Sequence, residues 1–136
     1  MISYTEILTA IHKLLDEGLP EVIVELSPAL IWDKQFVGIE LDSQENKEAY
    51  ISTPSPYQAT LQVSIMIAEF SPDGVVDALE RRDALVGRVF DLLHSDRTLG
   101  DLVGNTQVGD FKFETAKTEA GFNAAAIIPL RIMLIS

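Results

Sequence analysis

The residues best equipped for chemistry in this chain are carboxylates and two histidines. Asp42, Glu45 and Glu48 crowd one short polar stretch, and hard oxygen donors gathered that closely attract a cation such as calcium. Their spacing is not that of an EF-hand loop, so the stretch reads as a solvated acidic loop. Glu40 and Asp42 would do acid–base work only if burial raised the pKa of one of them, and their polar surroundings predict otherwise. His12 falls at the margin of an apolar helical face, and His94 falls at the end of a second helix, where an imidazolium complements the helix dipole. Both read as structural. No Gly-x-Ser-x-Gly, phosphate loop, dinucleotide fingerprint or His-Glu-x-x-His occurs. The expectation is a protein without catalytic residues, cofactor or metal.

Length and composition narrow the class further. A chain of 136 residues suits one domain, here 1–136, with enough surface to bury on folding that no covalent staple is needed. Apolar residues at 47% and charged residues at 23% predict a folded, soluble chain and not a disordered one. Zero cysteines exclude disulfides and thiolate metal sites and fit a reducing compartment. No basic segment precedes an apolar run at the start, where Glu6, Asp16 and Glu17 intervene, so a signal peptide is not expected. No stretch reaches the ~18 uncharged apolar residues of a membrane span. The net charge of −11 argues against an electrostatic grip on nucleic acid, which needs clustered Lys and Arg. Arg81-Arg82 is the one adjacent basic pair.

The elements that would position these groups are legible from periodicity. Tyr4, Ile7, Leu8, Ile11, Leu14 and Leu15 recur at helical spacing and predict a helix over 4–16. Ser3 and Glu6 form a capping-box pattern at its start, with Gly18 and Pro20 as its stop. Glu21 to Leu26 alternates with Val22, Val24 and Leu26 on one face, Ser27-Pro28 breaks it, and Phe36 to Leu41 offers a second short strand. Ala59 to Phe70 is a long strand with Leu61, Val63, Ile65 and Ile67 on one face. Ser71-Pro72-Asp73 reads as a helix entrance with Pro at the first helical position. A helix follows over about 75–94, its stripe drawn by Leu79, Val86, Val89, Phe90 and Leu93. Arg82 falls near the centre of that stripe, where a satisfied salt bridge or contact with a partner would account for it.

Beyond the helix, Leu99, Leu102 and Val103 are apolar pegs in a Gly-punctuated turn. Phe111 and Phe113 share one face of a strand, Glu119-Ala120-Gly121 makes a hairpin turn, and Phe122 to Leu134 supplies a last strand with alternate residues facing in. Pro129 lies inside that strand. It cannot donate to a ladder, so it predicts an edge, a bulge or a bend, and an edge there would be free to pair with another subunit. The expected fold is α+β, a mixed, mostly antiparallel sheet of about five strands with two main helices packed on one side. Between the second and third strands, Asp42 to Pro56 is polar, aperiodic and contains two prolines. It reads as a long surface loop or arm at about 42–57.

The series from Arg82 to Ile135, within RRDALVGRVFDLLHSDRTLGDLVGNTQV and the paired strands that follow to IIPLRIMLIS, resembles the tail terminator or tail-completion proteins of long-tailed bacteriophages and prophages. The order of elements agrees over most of the chain. The resemblance rests on apolar spacings and carries no chemical signature. It implies a non-enzymatic subunit of a homo-oligomeric ring, commonly of six, that caps a tail tube, stops its growth and joins it to the head or neck. The implied partners are further copies of the chain, the tail tube protein and a head or neck connector protein, and the implied location is the virion tail, assembled in the host bacterial cytoplasm. DNA would pass through the lumen without specific binding. Six copies of a −11 chain would bring roughly −66 formal charges, and lumen-facing carboxylates would repel phosphate.

Ring closure needs a heterologous contact. The arm and the strand edge are its natural sources, which makes Gln44, Glu45, Lys47, Tyr50, Tyr57, Arg82, Pro129 and Arg131 the candidate assembly contacts. Two other readings remain open: a head–tail connector or neck subunit, and, from a different class, a small acidic ligand-binding accessory protein.

Overall fold

A computed structural model describes residues 4–26, 33–41 and 60–134. The arm at about 42–57, the Ser3 cap and the Ser27-Pro28 break lie outside the described residues. The element order is α1 (Tyr4–Gly18), β1 (Val24–Leu26), β2 (Phe36–Leu41), β3 (Thr60–Ser71), α2 (Val75–Ser95), β4 (Asn105–Val108), β5 (Lys112–Lys117) and β6 (Phe122–Met133). The α+β expectation holds, with six strands in the sheet instead of about five. The additional strand is β4, which stands where a turn was expected. Its sequence, NTQV, is too short and polar to alternate visibly.

The sheet runs β1-β2-β3-β6-β4, with β5 also paired to β6. Only the β1–β2 pair is parallel. The period-2 pattern of β3 and β6 sets the register, because Leu61, Val63, Ile65 and Ile67 lie opposite Ile132, Leu130, Ile128 and Ala126. A slip of one residue would turn every one of these side chains to the other face. All eight are buried, and they pack with Ile7, Ile11 and Leu15 of α1 and Leu85, Val86, Val89 and Leu93 of α2 in one core. Both helices therefore cover the same side of the sheet.

Details of the helices differ from the sequence reading in ways that packing explains. α2 begins at Val75 after Gly74, so Pro72 precedes the helix and is not its first residue. Its buried line is Ala78, Arg82, Leu85, Val86, Val89 and Leu93. Leu79 is half-buried and Phe90 is 38% exposed. α1 runs through Gly18, where a side chain would collide with Leu92 of α2. Gly18 thus permits the close approach of the two helices. β1 is shorter than the expected Glu21–Leu26; Val22 before it and Val24 on it are buried as expected, but Leu26 is 43% exposed because it ends an outer strand. Among the described residues, no helix is long and apolar enough to cross a membrane.

The largest correction concerns Pro129. β6 is not an edge: β3 pairs with its full length on one side, and β4 and β5 share the other. Gly109 N donates to Pro129 O at 2.8 Å, and in an antiparallel strand the N and O of one residue point the same way. The nitrogen of Pro129 therefore faces the side where β4 ends at Val108 and β5 begins at Lys112. The missing donor falls opposite a gap in the neighbouring strands, so a proline is tolerated in a central strand.

Candidate functional site

The expected contact residues that are described fall in two separate regions. Gln44, Glu45, Lys47, Tyr50 and Tyr57 lie outside the described residues. Arg82 rises from α2 on the helix-covered side, whereas Pro129 and Arg131 lie on the opposite face of β6, in its exposed part. Pro129 and Arg131 are brought together there, with Gln62, Gln107, Val108 and Gly109, around a shallow groove of about 240 Å3. A second depression of about 210 Å3 lies beside it, lined by Gly38, Glu40, Ser64, Met66 and Ile127. Met66, Ile127, Pro129 and Met133 are all partly exposed on this face. The lining combines apolar side chains with amides, a hydroxyl and one charge of each sign. Ser64 stands opposite Glu40 in the register, but among the described residues no hydrogen bond joins the hydroxyl to the carboxylate.

Arg82 is explained by its own surroundings. Its Nε and Nη2 donate to Asp83 Oδ1 at 3.2 and 3.1 Å, and its guanidinium carbon lies 4.5 Å from the centre of the Phe113 ring. A residue in the apolar stripe thus keeps its charge paired while its stem fills space beneath it. The expected salt bridge is present, with the next residue in the chain as the acid. The aromatic partner comes from β5, on the same face as Phe111.

The end of the sheet where β2 begins and β3 ends gathers other polar groups. Glu69, 6% exposed, accepts a hydrogen bond from Gln35 Nε2 at 2.9 Å. Ser71 Oγ donates to Asp77, which is held by Arg81 at 2.8 Å. Asn123 accepts from Asp33 N at 2.7 Å and donates to Asp33 Oδ1 at 3.0 Å, and Thr118 Oγ1 donates to the same oxygen at 2.7 Å. These contacts tie the entrance of β2 to the β5–β6 hairpin across the sheet. Every participant is bonded to protein, so the group reads as fastening and not as a reaction centre. Sequence reading missed Glu69 and Asn123 as buried polar residues. Their positions inside apolar strands were the available signal.

Burial raises the Glu69 carboxyl above its ordinary value of 4.5, and the Gln35 bond and the Arg81 charge offset this in part. A carboxyl raised in the folded state contributes stability that is fully present below the unfolded pKa and is lost as pH rises through the folded one. Glu69→Gln is therefore expected to stabilise the fold at pH 7, with the advantage shrinking as pH falls through the raised folded pKa and gone below the ordinary value of 4.5. Urea unfolding of both proteins at pH 7 and pH 4 measures this. An equal difference at both values would contradict it.

The histidines have structural partners. A ring nitrogen of His12 lies 2.9 Å from Val24 O and one of His94 lies 2.9 Å from Phe90 O. Since each partner is a carbonyl, the ring nitrogen donates in both cases. His12 and His94 stand on different helices with no nucleophile bonded to either. Among the described residues, no group of three or more His, Asp or Glu is arranged to hold a metal ion. No family model matches the chain, and no curated protein matches it.

Proposed function

We propose that this chain is a structural assembly protein, a ring-forming subunit that caps a phage-type tail tube, stops its polymerisation and offers a joining surface to the head or neck. The observation that carries the reading is the exposed part of the second face of the sheet. Two helices cover one face; on the other, Phe36, Ala68 and Ala125 are buried, while Met66, Ile127, Pro129 and Met133 are partly exposed beside Arg131. Such a surface suits contact with another protein better than turnover of a small molecule. The apolar spacing from Arg82 to Ile135 and its likeness to tail terminators support the same reading. So does the −11 charge, which suits a lumen that DNA must pass without adhering.

The direct test adds the purified chain to polymerising tail tubes and measures tube lengths by electron microscopy. The reading expects shorter tubes with a ring at one end. Unchanged growth would contradict it, and binding to portal or neck particles instead of tube ends would replace it with the connector reading.

A second prediction concerns the arm. Register pairs Leu41 with Val63, so β2 and β3 are neighbours whose connection tolerates shortening. Deleting Gln44 to Thr53 is expected to leave the circular dichroism spectrum intact while abolishing assembly. Retained assembly would remove the arm from the contact.

A further inference from the structure

The sheet has three outer strands, and the chain protects two of them. On β1, Ile23 O bonds Val37 of β2, so the backbone groups of Val24 point outward, and His12 of α1 binds the Val24 carbonyl. On β4, the outward carbonyl of Thr106 accepts from Arg97 Nε and Nη2 at 3.3 and 3.2 Å. Capping of this kind blocks addition of a further strand. β5 has no such cap. Thr118 N bonds Gly121 O, which turns the backbone groups of the even residues toward β6 and those of Phe113, Thr115 and Lys117 outward. Among the described residues, no side chain bonds them. The strand runs over Lys112–Lys117 without proline, and Phe113 on it is 54% exposed.

We propose that β5 is a two-fold seam at which a second copy of this chain adds antiparallel, with the dyad passing through Phe113. This register follows from the side chains. With Phe113 opposite its own counterpart, Lys112 of each copy lies opposite Glu114 of the other, twice over. Both residues stand on the face away from the helices, since they pair with Ile127 and Ala125 of β6, and both are exposed. Phe111 falls opposite Thr115 on the helix side. Shifting the dyad to Glu114 would oppose two carboxylates, and shifting it to Thr115 would set them diagonally. The Phe113 ring is already held by Arg82 at 4.5 Å and by Phe111 at a ring separation of 6.2 Å, so little freedom remains to be lost on docking.

The seam is isologous and stands apart from the heterologous contact that closes a ring. Alone it gives a dimer; combined with ring closure it joins two rings face to face. Molar mass by light scattering over a wide concentration range, with circular dichroism to confirm folding, tests it on the full chain. Phe113→Glu is expected to weaken pairing roughly 100-fold and halve the mass. Glu114→Lys, which opposes lysines at both positions, is expected to weaken it about tenfold, and K112E/E114K together should restore it.

A wild-type ring whose mass ignores Phe113→Glu would overturn the seam and leave the ring reading standing. A wild-type dimer that Phe113→Glu converts to monomer would support the seam and count against the ring. A wild-type monomer at every concentration would overturn the seam outright.

Discussion

Gly121→Ala is expected to destabilise the fold by about 3 kcal/mol, the combined scale of backbone strain and overpacking at one position. Gly121 closes the β5–β6 hairpin with φ at +157°, a conformation that an L side chain adopts only under strain. A Cβ there would also lie 2.8 Å from Pro72 Cα and 2.9 Å from Phe70 Cε2, and would press on the Ser71 carbonyl. Two of these neighbours are backbone, so they cannot swing aside. The hairpin carries Asn123 and Thr118 into the network around Asp33, and displacing it would loosen the entrance of β2 as well. Urea unfolding reads the loss. A change below about 1 kcal/mol would mean that the turn relaxes freely.

Ile65→Ala is expected to cost a similar or larger amount, about 3–4 kcal/mol, as for other large-to-small changes in a packed core. Ile65 is fully buried and sits at the centre of β3, opposite Ile39 on β2 and Ile128 on β6. These three isoleucines form one row across the middle of the sheet on the side that the helices cover. Strands paired on both sides close poorly around a void, so the cavity would persist. Against a typical domain stability of about 5–15 kcal/mol, the loss would move the midpoint of denaturation far. A loss below about 1.5 kcal/mol would show that the helices settle into the space.

Sequence periodicity located the elements whose apolar positions repeat for several turns or strand residues. α1, β3, β6 and the extent of α2 follow from it, as does the hairpin at Glu119 to Gly121. It failed where the pattern was short or where a rule depends on direction. β4 is three polar residues and a valine held by pairing to β6, a contact that no local signal announces. Pro129 suggested an edge because the missing donor was considered without knowing which side its nitrogen faced. Arg82 blurred the phase of α2, so Leu79 and Phe90 stood in for Ala78 and Leu85. The exposed part of the second face was partly legible from the mild side chains of β3, Gln62, Ser64 and Met66. The capping of β1 by His12 and of β4 by Arg97 was not, because each joins residues whose nearness only the tertiary fold creates.

The assembly account is tested most directly by the molar mass of the purified chain over a wide concentration range, with electron microscopy of the same material. The account expects closed rings of about six chains, single or doubled across the proposed β5 seam. Monomers or isolated dimers at every concentration, with no ring in the images even when tail tubes are added, would contradict it.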